Sequence, residues 1–205
     1  TKEIEVLSKP QKATPIKHIE EENVLEVSDV KKYFPIYKGI MKKHVGDVKA
    51  IEDITYNLRK GETLGIVGES GCGKTTMARS VMRVYKPDEG SIRFSGVDIA
   101  KFTDKQLAPY RSKIAMIFQD PFSSLDPRQT AGSIVEESLI INHSCKDAAE
   151  RKKRVDELFR LVGLDPALKE RVPHEFSGGQ RQRLGIARAL SSDPDVIICD
   201  EPISA

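Results

Sequence analysis

The sequence predicts an α/β fold with an inserted helical subdomain, and three observations predict it. A short apolar run at residues 63–67 leads into a glycine-rich loop and then a helical stretch over about 74–84. The middle of the chain then changes to helical character. Near residue 196 the apolar run Val196-Ile197-Ile198-Cys199 returns to a strand that closes on Asp200-Glu201. Strand, loop and helix, a helical stretch, and a second core strand are the order of an α/β core carrying a helical insert.

Taken in order, residues 1–22 are polar, with Pro10, Pro15 and three consecutive glutamates, and read as a loose arm ahead of a domain over 23–205. Val24-Leu25-Glu26-Val27 reads as a strand. Pro35, Gly39, Gly46 and several lysines make 33–47 read as a long loop. Residues 54–58 alternate apolar and polar, as in a half-buried strand, and Lys60-Gly61 reads as a turn. The run at 63–67 has the length and composition of a buried strand, and 91–94 and 113–118 read as further strands. Helices are expected at 133–141, 147–162 and 178–190, within a helical subdomain at about 125–190. In the second of these, Val155, Leu158, Phe159 and Val162 form one apolar stripe. Asp147 followed by Glu150 is a capping-box pattern, and Gly163 suits the helix end.

Composition narrows the function. The 205 residues carry 33 basic and 31 acidic side chains, a net charge of +2, which gives no electrostatic reason to expect nucleic acid. The basic run at 151–154 lies on an amphipathic helix, where a solvated face is the expected role. No apolar run approaches the roughly 20 residues that span a bilayer, so membrane association is expected to run through a protein partner. Cys72, Cys145 and Cys199 are odd in number and far apart, with no CxxC pair, which suits a reduced, cytosolic compartment. The first residue is Thr1 and the chain stops in mid-motif, so it reads as a piece of a longer protein.

Gly68-Glu69-Ser70-Gly71-Cys72-Gly73-Lys74-Thr75 fits the phosphate-loop pattern GxxxxGK[ST]. A triphosphate needs several donors converging at short range. Glycines let backbone N–H groups curl into an anion nest, and the helix that follows points its positive end at the same phosphates. Lys74 supplies a full positive charge, and the Thr75 hydroxyl is a hard ligand for Mg²⁺. Thr76 continues the loop into the helix.

Two further motifs accompany the loop. Ser177-Gly178-Gly179-Gln180 has the S-x-x-Q spacing of a capping box ahead of an arginine-rich helix. Two glycines in a first helical turn cost stability, about 1 kcal/mol each relative to alanine. A cap alone does not require them, and they make sense where backbone must approach a ligand at a helix N-terminus. Asp200 and Glu201 end a strand, the ligand edge of an α/β sheet. Asp200 is expected to hold Mg²⁺, and Glu201 to polarise the attacking water.

These residues resemble the ATPase domain of ABC transporters over roughly 24–205. GESGCGKT, FSGGQ and VIICDEP stand in that family's order, and Gln119 in IFQDPFSSLDPR is similar to its Q-loop glutamine. GESGCGKT, QDPFSSLDPR, HEFSGGQRQRLGIARAL and the insert between Phe34 and Ala50 resemble the oligopeptide and dipeptide importer branch. The resemblance implies a P-loop NTPase core sheet with an antiparallel β subdomain beside the helical one. It implies ATP and Mg²⁺ as cofactors and ATP hydrolysis as the activity of the full-length protein. Catalytic roles fall on Glu201, Lys74 and Gln119, and metal ligation on Thr75, Gln119 and Asp200. Phe34, with Tyr33 as the alternative, would stack on adenine. Ser177, Gly178, Gly179 and Gln180 would cover the ATP of a second ATPase subunit, in a head-to-tail dimer expected to be a heterodimer.

The partners implied are transmembrane permease subunits and, indirectly, a substrate-binding protein. The location implied is the cytoplasmic face of the membrane. A soluble ABC ATPase outside transport is the alternative. Phe176 departs from the commoner Leu, and Ile203 stands where Thr is usual. The family continues with a Leu-Asp pair after Ala205 and a histidine some thirty residues on, for which His18, His44, His143 and His174 do not substitute. On that basis the chain as given is expected to bind ATP but to hydrolyse it poorly.

Overall fold

The computed structural model describes residues 22–39, 41–118 and 125–200. Gln119 and Glu201 lie outside the described residues, as does the expected arm up to residue 21. The architecture is mixed α/β, with an antiparallel sheet, a parallel strand pair and a helical cluster.

The antiparallel sheet is built from β1 (Asn23–Lys38), β2 (Lys43–Arg59), β3 (Glu89–Phe94) and β4 (Val97–Asp98), in the order β2-β1-β3-β4. Leu25 and Val27 of β1 and Ile92 and Phe94 of β3 are buried on one face, as period-two alternation requires. Asp29 and Asp53 interrupt the β1–β2 ladder in left-handed conformations, and the Asp29 N–H donates to the Thr55 hydroxyl at 2.9 Å.

The expected loop at 33–47 is instead a two-stranded ribbon. Tyr33 pairs with Lys49, Phe34 with Val48, Ile36 with Gly46 and Tyr37 with His44, and Gly39 at φ +77° helps turn the chain. Pro35 fits because β3 pairs with β1 no further than Lys31, leaving one edge of β1 open there.

The expected strand at 63–67 does not form. It pairs with no strand among the described residues, and an apolar run without a ladder partner stays irregular. Leu64 and Ile66 face Val196, Ile197 and Ile198 across a cleft of about 290 Å³.

β5 (Ile114–Ile117) and β6 (Val196–Cys199) run parallel, paired from Ile114↔Val196 to Ile117↔Cys199. α1 (Lys74–Val81) and α2 (Asp104–Arg111) precede them. α2 is not among the expected helices: only Leu107 is buried and Pro109 stands inside it, although Thr103 and Gln106 form a capping box at its start, with the Thr103 N–H donating to Gln106 Oε1 at 2.9 Å. Arg83, after α1, is buried and donates from Nε to the Ile99 carbonyl (2.9 Å) and from Nη2 to the Phe102 carbonyl (3.0 Å). Burial lowers its guanidinium pKa.

Between β5 and β6 lie α3 (Ala131–Ile141), α4 (Ala148–Leu161) and α5 (Gly178–Leu190). Asp147 caps α4 by accepting from the Glu150 N–H at 2.8 Å, while the Glu150 carboxylate accepts from Lys146. Gly163 ends the helix at φ +72°. Val155, Leu158 and Phe159 are buried with Ile134, Val135, Leu139, Phe176 and Leu184 in a core of their own. A second core joins Leu25, Val27, Val81, Ile92, Ile114 and Val196.

Candidate functional site

Gly73 stands at the N-cap of α1, and no side chain caps the helix. Its first amides are therefore open to an anion, with no carboxylate in the first turn to compete. Gly73 has φ +100°, and a Cβ there would lie 2.3 Å from the Ala50 carbonyl oxygen, so the loop passes directly beneath β2. Lys74 reaches back across the loop, and its ammonium donates to the carbonyls of Gly68 (2.7 Å) and Glu69 (2.8 Å). A cation is thus held at the centre of a ring of backbone groups, where phosphate oxygens could replace the carbonyls as its partners.

Above the loop is a cavity of about 420 Å³ lined by Val48, Lys49 and Ala50 of β2 and by Ser70, Gly71, Cys72, Gly73, Lys74, Thr75 and Thr76. The β2 residues were not legible in the sequence as part of the site. Ala50 contributes through its backbone, which carries no side-chain signal. Phe34 lies on the ribbon across from Val48, half-buried, its ring edge-on to Tyr85 at 5.3 Å. It shares the Val48 face without lining the cavity itself. The alternative, Tyr33, is paired with Lys49, and its hydroxyl donates to Glu52 at 3.3 Å. Burial and the Glu52 charge raise its phenol pKa.

The acidic strand meets the phosphate loop. The Thr75 hydroxyl donates to Asp200 Oδ1 at 3.0 Å, joining residues 125 positions apart. Asp200 is half-buried, and its N–H donates to the Ile117 carbonyl at 3.0 Å, which continues the β5–β6 pairing past the end of β6. A hydroxyl and a carboxylate side by side at a strand end form a pair of hard oxygen ligands that suits Mg²⁺. Among the described residues no group of three or more His, Cys, Asp or Glu side chains gathers to hold a metal.

Ser177 caps α5 as its spacing predicts. Its hydroxyl accepts from the Gln180 N–H at 3.3 Å, and Gln180 Oε1 accepts from the Ser177 N–H at 2.9 Å. Phe176, just before, is buried in the helical core and fixes where the cap begins. Gly178 and Gly179 adopt no left-handed conformation, and a Cβ on either would meet nothing within 4 Å. Nothing among the described residues requires glycine at these positions.

The basic run at 151–154 is partly neutralised. Arg151 pairs with Glu136 at 3.0 Å and Arg154 with Glu157 at 3.4 Å.

Comparison with known proteins places these features in a wider group. The family model described as "ABC transporter" matches residues 51–204. The chain is 54% identical over 186 residues to the oligopeptide transport ATP-binding protein AppF of Bacillus subtilis, covering 90% of this chain and 56% of that protein. It is 43% identical to the dipeptide transport ATP-binding protein DppF of Haemophilus influenzae, covering 89% of this chain and 55% of that one. The chain therefore spans little more than half the length of the curated relatives it matches. Among solved structures, a dimeric post-hydrolysis state of the ATP-binding cassette MJ0796, bound to ADP and phosphate, aligns with a TM-score of 0.76. That alignment is at 30% identity and covers 88% of this chain and 75% of the other.

Proposed function

Because the chain belongs to the ABC transporter family, we propose that it is part of the ATP-binding and ATP-hydrolysing subunit of an importer for oligopeptides or dipeptides. The observation that carries this reading is the bond between Thr75 and Asp200, which joins the phosphate loop to the acidic strand. The names of the relatives support the peptide cargo, and they favour transport over a soluble ATPase outside it.

In this reading the amides of residues 68–76 bind the β and γ phosphates, and Lys74 moves from its carbonyl partners to the phosphate oxygens. Thr75 and Asp200 would hold Mg²⁺, with Gln119 as a further ligand, and the ion supplies charge neutralisation at the phosphates. Glu201 positions and polarises the attacking water. Phe34 stacks on adenine from the Val48 side of the ribbon. Gly178 and Gly179, free of any internal demand for glycine, present bare backbone to the ATP of a second ATPase subunit. The working unit is then a head-to-tail dimer, with two ATP molecules between its subunits. It docks on permease subunits at the cytoplasmic face of the membrane and is served by a substrate-binding protein. No helix among the described residues is long and apolar enough to cross a membrane.

Thermal unfolding with and without Mg-ATP tests the binding step. A hundredfold excess over Kd is expected to stabilise the chain by about 2.7 kcal/mol, and Lys74→Ala is expected to abolish the shift. An unchanged melting temperature in a demonstrably folded sample would overturn the assignment. In the full-length subunit, Glu201→Gln is expected to slow steady-state hydrolysis by roughly 10²–10⁴-fold.

A further inference from the structure

The β1–β2 ribbon runs well past the sheet that supports it. β3 pairs no further than Lys31, while β1 and β2 stay paired out to Lys38 and Lys43. Between Asp29 and Asp47 the chain has five lysines and no carboxylate. Two of the five are neutralised at the base of the ribbon, Lys31 by Asp53 and Glu89 and Lys32 by Asp88. The other three, Lys38, Lys42 and Lys43, are exposed at the tip, and among the described residues their ammonium groups make no ion pair or hydrogen bond, while the Lys42 N–H donates to the Gly39 carbonyl at 3.1 Å to close the turn. They share the tip with apolar side chains that are also exposed: Met41 is 95% exposed, Tyr37 56% and Val45 50%. Cations without a carboxylate partner beside an exposed methionine and tyrosine, at the end of a ribbon that outruns its sheet, match neither a core nor an ordinary solvated turn.

We propose that the tip of this ribbon seats on an anionic lipid surface, with Lys38, Lys42 and Lys43 at the headgroup phosphates and Met41 in the interfacial layer. Charge complementarity and shape both favour a bilayer. Cations beside apolar and aromatic groups are the pattern of interfacial anchors, where charge finds anionic headgroups and the apolar groups leave water. A protein partner is less suited, because a stable protein interface buries about 800 Å² per partner. The end of a ribbon two strands wide offers far less, whereas a fluid interface needs no matching surface. This contact stands beside, and independent of, docking through a protein partner. It also does not depend on nucleotide.

Flotation of the chain with vesicles tests the proposal without ATP. Binding is expected to vesicles containing phosphatidylglycerol and not to pure phosphatidylcholine, and to fall as salt rises from 50 to 500 mM. Each lysine near such a surface contributes roughly fivefold. Replacing Lys38, Lys42 and Lys43 together by Ser is therefore expected to weaken partitioning on the order of a hundredfold. Met41→Ser weakens it further, and Met41→Leu retains it. Circular dichroism confirms that each variant is folded. Failure of the chain to float with anionic vesicles would overturn the proposal and leave an acidic protein as the occupant of the tip. Equal flotation of the folded triple variant would overturn it as well.

Discussion

A methyl group on Gly73 would meet the Ala50 carbonyl at 2.3 Å, in a backbone held at φ +100°. Gly73→Ala therefore combines a left-handed alanine with a collision against backbone, and a loss of more than about 2 kcal/mol is expected in chemical denaturation. The glycine pattern was legible in the sequence because phosphate chemistry fixes residue types at close spacing. Its contact with Ala50 was not, since a backbone carbonyl has no residue signature. The same limit hid Lys74's resting partners, which are main-chain oxygens. Tyr56 offers a different test. Burial pushes its phenol up to about 12 from an ordinary 10.0. The folded state thus holds the proton more tightly than the unfolded state, and this contribution is complete below pH 10 and is lost as pH rises toward 12. The loss is on the order of 2–3 kcal/mol. Tyr56→Phe is expected to flatten the alkaline arm of the stability profile, measured by urea unfolding between pH 8 and 11.

At the scale of elements, α5 separates stability from function. A Cβ on Gly179 meets nothing, so Gly179→Ala is expected to stabilise the chain by roughly 0.5–1 kcal/mol. In the assembled full-length dimer the same change is expected to depress ATP hydrolysis, because it puts a methyl group where backbone approaches nucleotide. A variant that is both more stable and fully active would remove the reason for the glycine pair. α4 and α5 were readable from sequence because local rules agree: caps at Asp147 and Ser177, a left-handed end at Gly163, and one apolar stripe. The ribbon was misread for the opposite reason. Its pairing is satisfied across the hairpin, and Pro35 and Gly46, which look like loop residues, sit beside an open edge. Residues 63–67 were misread because an apolar run gives composition but not a partner, and a strand needs both.

At the scale of the molecule, two separate cores are joined through β5 and β6. Mg-ATP is expected to raise amide hydrogen-exchange protection at 68–76 and 196–200 while leaving 155–164 in the helical core unchanged. Uniform protection of both cores would contradict a site confined to the loop and the strand end. Phe159→Ala is expected to cost about 3–5 kcal/mol, since its ring is fully buried in the helical core. The pairing of β5 with β6 also bears on the order of folding. Two adjacent parallel strands are separated by residues 118–195, so their contact closes a long loop. If the helices collapse first, the effective loop shortens, and each halving of its length lowers the closure cost by about 0.6 kcal/mol. The insert then acts as a splint for a strand pair that the chain would otherwise find slowly. Leu158→Ala should accordingly slow refolding, while Ile197→Val mainly speeds unfolding. The helical insert would thus set how quickly the site comes into being, as well as where it lies.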